Sequence, residues 1–127
     1  QKKLEIDSLW SVHSYEGDYN PLHDHYTKTK MGISFTGWTK IPSQIGENTT
    51  DLYNVSGACD GFINFTWGRS SVTDKDRLRP KQSILIKPET AKLLFFPSWL
   101  QHTVYPFTGK GERRTIAGNI NCWEIDQ

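Results

Sequence analysis

Short stretches rich in apolar, aromatic and β-branched residues recur along the chain, with turn-forming residues between them. Their apolar and polar positions follow a period near two, and no full window carries the 3.6-residue period of an amphipathic helix. This pattern predicts β-strands. The predicted strands cover residues 8–15, 31–38, 51–55, 61–68, 83–87, 92–97, 102–107 and 113–123. About eight short antiparallel strands favour an all-β sandwich or barrel, of which the jelly roll is the eight-stranded form.

The size and composition of the chain agree with a single all-β domain over residues 1–127. A chain of this length buries roughly two thirds of its unfolded surface in one core. Aromatic residues make up 13% of the sequence, a proportion that favours strands over helices. Because the first residue is Gln rather than Met, we expect the full-length protein to have further residues before it.

Charge and hydropathy exclude several classes of partner. The formal net charge is +1, so the chain has no general field that would attract nucleic acid or a membrane surface. These residues contain no apolar run long enough to span a membrane, and no positively charged start followed by an apolar stretch suggests a signal peptide. The two cysteines, Cys59 and Cys122, are too far apart for a zinc motif and indicate free thiols in a reducing compartment. We expect a cytoplasmic protein (in the host cytoplasm if it is viral), and leave open whether it forms a homodimer.

The stretch "NPLHDHY", residues 20–26, contains two of the four histidines of the chain. Side chains at positions i and i+2 of an extended segment point to the same side. His23 and His25 are therefore able to face one metal ion, while Asp24 faces away. The alternative is that two surface histidines are neighbours by chance, because short motifs carry a high false-positive risk.

A third histidine, His102, follows an apolar strand and a Pro-Ser-Trp corner in "KLLFFPSWLQHTVYPF". If the sheet brings it back to the first pair, three imidazoles form a facial set that leaves positions open for substrate or oxygen. Open positions distinguish a catalytic metal site from a closed structural one. The alternative is a half-buried strand histidine that is hydrogen-bonded to the main chain.

The stretch "ERRTIAGN" provides a candidate anion site. Strand alternation puts Arg113 and Thr115 on one face, together with Asn119, and Arg114 on the other. An inward guanidinium beside a hydroxyl suits a carboxylate, which arginine binds through two hydrogen bonds. The alternatives are that Arg114 is the inward residue, or that both arginines lie on the surface and pair with Glu112.

These stretches resemble one family. The order H-x-H, a long gap, a third histidine and then an arginine followed by x-[S/T] resembles the Fe(II)- and 2-oxoglutarate-dependent oxygenases. "NPLHDHY", "LLFFPSWLQHTVYPF" and "ERRTIAGNI" are similar to a group of these proteins that is abundant in marine bacteria and their phages. The motifs span residues 10–120, and F-P-S-W-L-x-H is the most specific of them.

The resemblance implies a double-stranded β-helix, which is a cupin-like jelly roll. It also implies a dioxygenase that uses Fe(II), O2 and 2-oxoglutarate, and releases succinate and CO2 as it hydroxylates a substrate. That substrate is a small molecule or a protein side chain that no motif identifies. The implied catalytic iron ligands are His23, His25 and His102. The residues implied to bind the cosubstrate are Arg113, Thr115 and Asn119.

The sequence departs from the wider superfamily at His25, where those enzymes supply a carboxylate. The metal would then have three histidine ligands, with the adjacent Asp24 as an alternative ligand if the loop bulges. Some cupin-type dioxygenases use three histidines without 2-oxoglutarate, and in that alternative Arg113 binds a carboxylate of the substrate itself. A third alternative is a non-catalytic jelly-roll binding or virion module, in which tryptophan side chains stack on sugars.

The stretch 39–50 is polar and rich in Gly, Ser, Asn and Thr. Loops at the ends of a jelly roll commonly carry binding residues. Because this stretch is long and has few apolar anchors, we expect a mobile substrate lid. Its candidate contact residues are Thr39, Ser43 and Asn48.

Overall fold

A computed structural model of the chain describes residues 2–46, 60–68 and 82–124. Within these ranges the chain forms eight strands and no helix. The described residues therefore contain no helix that could span a membrane. The strands are β1 (Lys2–Ser14), β2 (Asn20–His23), β3 (Gly32–Lys40), β4 (Ile63–Thr66), β5 (Ser83–Ile86), β6 (Leu93–Pro97), β7 (Gln101–Val104) and β8 (Arg113–Glu124).

Seven of these strands overlap predicted stretches, although β1 begins at Lys2, six residues before the predicted start. The remaining predicted stretch, 51–55, lies outside the described residues. Strand β2 was not predicted. It is four residues long, contains a proline and has a half-buried rather than alternating pattern. A segment this short carries too little periodicity to be recognised, and it becomes a strand because it pairs with β7.

The strands form two four-stranded antiparallel sheets. The first sheet has the order β1-β8-β3-β6, and the second has the order β2-β7-β4-β5. Strands that are distant in sequence are neighbours in both sheets, as in β1 with β8 and β2 with β7. This is the predicted all-β jelly roll, a double-stranded β-helix.

The core lies between the two sheets, where each strand directs alternate residues inward. Its centre is a cluster of four buried side chains, Trp38, Ile63, Phe65 and Phe96. Partly buried aliphatic side chains pack around this cluster, among them Ile86 and Leu94. Burial of Trp38 removes it as a sugar-stacking surface. Three members of this cluster, Trp38, Ile63 and Phe96, also line a cavity together with polar residues.

The described part of residues 39–50 has apolar anchors that were not expected, and its role as a mobile substrate lid stays a prediction. Thr39 belongs to β3, and Ile45, which is 4% exposed, packs where a side chain on Gly61 would otherwise lie. Pro42 is also buried. Ser43 is exposed in the turn, and Asn48 lies outside the described residues. The two buried side chains hold residues 41–46 against the body of the protein.

The core cluster predicts a large difference between two phenylalanines. We expect Phe65→Ala to lower the free energy of unfolding by about 3–5 kcal/mol, because it removes a ring that is 3% exposed and leaves a cavity between the sheets. Phe95→Ala is the matched control, since Phe95 is 60% exposed on the outer face, and should cost less than about 1 kcal/mol. Urea unfolding of both variants measures the difference. Equal losses would show that this core cluster is not the main source of stability.

Candidate functional site

Three of the four histidines meet at one end of the space between the sheets. One nitrogen of each of His23, His25 and His102 lies within 4.8 Å of a nitrogen of the other two. The ring centroids of His23 and His102 are 4.2 Å apart, and His25 lies 5.3 and 5.1 Å from them. The fourth histidine, His13, is elsewhere, hydrogen-bonded to Glu112 on the surface.

Strand pairing positions two of these rings, and a loop contact positions the third. His23 ends β2 and is the direct partner of His102 on β7. Side chains of such cross-strand partners lie about 5 Å apart on the same face. His25 lies in the loop after β2, and its main-chain N–H donates to the carbonyl oxygen of Ser98 at 2.9 Å. The F-P-S-W corner therefore holds His25 next to the other two rings.

The hydrogen bonds of the three rings direct the same nitrogen toward the centre. In each ring Nδ1 contacts an oxygen that only accepts: the main-chain oxygen of Pro21 for His23 at 2.6 Å, and that of Leu100 for His102 at 3.2 Å. For His25 it is the side-chain oxygen of Asn119, at 3.0 Å. Each Nδ1 must then carry the proton, which leaves the lone pair of Nε2 free.

The residues present fit a metal ion. Nε2 of His25 is a buried polar atom for which the described part of the chain provides no hydrogen-bond partner. Burial lowers the pKa of His102 to about 4, and it also lowers the pKa of His25 below its usual range. Both rings are therefore neutral near pH 7, which is the form that binds metals. A divalent cation would satisfy the unpaired nitrogen and the two rings beside it.

Asp24 does not belong to the set of converging ligand atoms, although it lies between His23 and His25 in sequence. Its side chain is exposed and lines the outer side of the site. It still acts on the histidines through its charge, because it opposes the fall in the pKa of His25 and His102. Asp24 therefore faces away from the other ligand atoms as expected, although it lies in the loop after β2 rather than in a strand, and the metal contact itself stays a prediction.

Arg113 is buried, with 2% of its surface exposed, whereas Arg114 is half-buried and forms a two-point ion pair with Glu112. The predicted facing of these two arginines agrees with the structure. Nη1 of Arg113 donates to the main-chain oxygens of Gly61 and Tyr105, each at 3.0 Å. Burial lowers the pKa of Arg113 to about 10, so the group stays charged at pH 7.

Two carboxylates lie close enough to Arg113 to act on its charge, and sequence analysis missed both. Asp18 and Asp60 each raise the pKa of Arg113 against the effect of burial. Asp60 is buried, with one oxygen, Oδ1, that has no hydrogen-bond partner in the described residues, and burial raises its pKa. Neither aspartate belongs to a recognisable motif, so only the folded chain brings them near the arginine.

One internal cavity connects the histidines with the arginine. It has a volume of about 70 Å³, and its wall includes all three histidines together with Arg113 and Thr115. A second, open cleft of about 420 Å³ lies on the outer side of His23 and His25. The histidines therefore stand between a small enclosed cavity and a larger cleft that is open to solvent.

The remaining predicted site residues that the structure describes do not line the cavity. Asn119 faces His25 and lines the outer cleft rather than the Arg113 cavity, so a contact between Asn119 and a cosubstrate stays a prediction. Thr39 is exposed and contacts the main chain of Arg114, and Ser43 is exposed in the turn. The buried Ser34 and Ser98 were missed, although Ser98 lies in the most specific motif.

The sequence matches one protein-family model, which is described as "Putative 2OG-Fe(II) oxygenase", over residues 8–119. No curated protein matches the chain in sequence. The family match includes all three histidines, Arg113 and Asn119, so it spans the whole site.

Two crystal structures of HygX from Streptomyces hygroscopicus have a similar fold. The structure with iron bound has a TM-score of 0.58 and the apo structure a TM-score of 0.57, each at 10% sequence identity. Each comparison covers 93% of this chain and 58% of the HygX chain, so the chain spans little more than half the length of HygX. At this identity the likeness supports the fold alone.

The converging histidines generate a prediction about metal binding. We expect His23→Ala, His25→Ala and His102→Ala each to weaken Mn(II) binding by more than about 100-fold. Loss of the hydrogen-bond partner of a ligand lowers metal affinity by about 10- to 100-fold, and loss of the ligand itself should lower it further. His13→Ala is the matched control and should bind Mn(II) like the unmodified protein, since His13 contacts Glu112 instead. Equilibrium dialysis measures the affinity. If Asp24→Ala removes binding while His25→Ala does not, Asp24 is the third ligand.

Proposed function

Because the chain belongs to the 2OG-Fe(II) oxygenase family, we propose that it is a non-haem dioxygenase that uses Fe(II), O2 and 2-oxoglutarate to hydroxylate a substrate. Succinate and CO2 would be the co-products. The observation that carries the proposal is one cavity whose wall combines three converging histidine nitrogens with a buried, charged arginine. A metal site alone or a buried cation alone would be compatible with many functions.

His23, His25 and His102 would hold the metal through Nε2. In each ring the other nitrogen is already engaged in a hydrogen bond, so no ring has to turn before it binds. When bound, iron would supply the oxygen chemistry that couples decarboxylation of 2-oxoglutarate to hydroxylation of the substrate. The protein contributes the geometry and the surroundings of that chemistry.

Arg113 and Thr115 would bind the carboxylate of 2-oxoglutarate that is remote from the metal. Arg113 is fixed in place by two main-chain carbonyls, and its positive charge is buried. A buried cation attracts an anion strongly because little water screens it. Thr115 lines the same wall of the cavity and would add a hydroxyl hydrogen bond.

The aromatic side of the core would keep water from the metal. Phe96 lies 5.1 Å and Phe65 lies 5.5 Å from the ring of His102, measured between centroids. Both are buried, so this side of the centre is dry. The substrate would approach from the open cleft, which Trp10, Asp24 and Tyr26 line beside the histidines. This cleft accommodates either a small molecule or a side chain of a protein.

Anaerobic addition of Fe(II) and 2-oxoglutarate tests the proposal directly. We expect a weak visible charge-transfer band that needs both components, since it arises when the cosubstrate chelates the metal. Air should then convert 2-oxoglutarate slowly to succinate even without the substrate, which NMR detects. If the protein binds Fe(II) but gives neither band nor succinate, a three-histidine dioxygenase without 2-oxoglutarate becomes the better proposal. Absence of metal binding would instead favour a non-catalytic module.

The role of Arg113 generates a separate prediction. We expect Arg113→Ala to weaken 2-oxoglutarate binding to the Mn(II)-loaded protein by at least about tenfold, because breaking a buried charge pair costs about 2–5 kcal/mol. Metal affinity should change little. Arg114→Ala is the control, since Arg114 pairs with Glu112 outside the cavity. Anaerobic calorimetry measures both ligands. Equal effects of the two variants on 2-oxoglutarate would overturn the assignment of Arg113.

A further inference from the structure

A chain of buried polar side chains runs from the F-P-S-W-L-x-H segment to His25. Ser98 Oγ lies 2.9 Å from Ser34 Oγ, which lies 2.7 Å from Asn119 Oδ1. The same Oδ1 is 3.0 Å from Nδ1 of His25. All of the members before the histidine are buried, and they come from three different segments of the chain.

The direction of these hydrogen bonds follows from the donors and acceptors available. Oδ1 of Asn119 only accepts, so Ser34 uses its single hydroxyl proton for that oxygen and must accept the proton of Ser98. Nδ2 of Asn119 donates to Ser8 at 3.1 Å. Oδ1 therefore accepts two hydrogen bonds, one from the hydroxyl of Ser34 and one from Nδ1–H of His25.

The reverse direction would be costly. If the amide of Asn119 turned over, its NH2 group would face His25, whose proton would then move to Nε2. That nitrogen is buried and has no acceptor among the described residues. A buried N–H without an acceptor is among the rarest groups in proteins, and a protonated Nε2 has no lone pair for a metal.

The main chain of Ser98 supports the same histidine. Its carbonyl oxygen accepts the N–H of His25 at 2.9 Å, and its N–H donates to the carbonyl of Gly32 at 3.0 Å. Ser98 therefore clamps the loop between β2 and β3 near both of its ends. Its hydroxyl is linked to the ring of His25 by hydrogen bonds through Ser34 and Asn119, and its carbonyl oxygen bonds to the backbone N–H of His25.

We infer that Asn119 is a positioning residue that selects the metal-binding tautomer of His25, and that Ser98 and Ser34 orient its amide for this purpose. The inference rests on the proposed metal centre. In this role Asn119 and Ser98 contact neither the metal nor the cosubstrate and act only through His25. Of the three rings, that of His25 is the one whose Nδ1 bonds to a side chain rather than to the main chain.

The first test uses metal-free protein with 15N-labelled histidine. Long-range 1H–15N correlation spectra show which ring nitrogen carries the proton. We expect His25 to be protonated on Nδ1 in the unmodified protein and to gain the Nε2–H form in Asn119→Ala. Detection of the Nε2–H form of His25 in the unmodified protein would overturn the inference. Because no metal is present, this result does not depend on the proposed activity.

The second test measures Co(II) affinity from the absorption of the bound ion. We expect Asn119→Ala to bind Co(II) about 10- to 100-fold more weakly, the usual loss when the partner of a histidine ligand is removed. Asn119→Asp keeps an acceptor for Nδ1 and should restore the affinity to within about threefold of the unmodified protein or make it tighter. Because Asp also restores the shape of Asn, the His25 tautomer in the same variants is the readout that a merely structural role would not change.

Asn121→Ala is the matched control for lost packing. Asn121 lies on the same strand and the same face as Asn119 and is fully buried, but it bonds to Asp7 and to the main chain of Lys28. It should destabilise the fold without changing Co(II) affinity. If Asn119→Ala and Asn121→Ala bind Co(II) equally well, the inference is wrong.

Ser34→Ala keeps the test decisive if Asn119→Ala does not fold. This variant leaves the amide in place but removes the proton that orients it, so we expect a smaller loss of Co(II) affinity in the same direction. If Ser34→Ala changes neither the Co(II) affinity nor the tautomer of His25, the serines do not orient the amide of Asn119. If the unmodified protein binds Co(II) but the Fe(II)-loaded protein does not convert 2-oxoglutarate, the proposed activity fails while the positioning role of Asn119 stands. If the unmodified protein binds no Co(II), both the proposed activity and this inference fail.

Discussion

The burial of polar side chains along the inner face of β8 is the constraint on which the rest of the structure depends. Arg113, Asn119 and Asn121 all lie between or beside the sheets, where an unpaired polar group costs several kcal/mol. Each of them obtains its partners from another part of the chain. Arg113 bonds to carbonyls next to β4 and β7, and the two asparagines bond to β1 and to the loop after β2. These bonds fix the position of one sheet and of that loop relative to the other sheet.

The site depends on the packing of both sheets. His23 and His102 belong to the second sheet, whereas Arg113 and Thr115 belong to the first. His25 lies between them and is held to the first sheet through Ser98 and Asn119. The enclosed cavity therefore exists only when the sheets are packed together. The buried aromatic side chains keep the sheets packed together, and the buried polar side chains form the site.

A metal centre of three neutral imidazoles differs from one with a carboxylate in its charge. If the three histidines hold the metal as proposed, the ligands would carry no negative charge to offset that of a divalent cation, which would make the cavity more attractive to a dianion such as 2-oxoglutarate. Arg113 at the other end of the cavity adds to this attraction. Asp24 supplies a negative charge outside the ligand set. The aspartate is therefore well placed to moderate the field of the centre without occupying a coordination position.

The amino-acid sequence by itself determined the strand-rich class of the fold, most of the strands and the facing of Arg113 and Arg114. These properties depend on local periodicity, which is written in consecutive residues. It also pointed to the three histidines. Strand pairing brings His23 and His102 together, whereas His25 is placed by a loop contact with Ser98. The anchoring of residues 41–46 was missed because Ile45 is a single apolar residue in a polar stretch, and its burial depends on Gly61, which is distant in sequence.

Only the tertiary structure decided how the site is supported. Strand β2 exists because β7 is beside it, and the carboxylates of Asp18 and Asp60 reach Arg113 only after the chain has folded. The link from Ser98 through Ser34 to Asn119 joins residues that are as much as 85 positions apart. Hydrogen bonds of this kind depend on distance and direction in space, and no local pattern of residues encodes either.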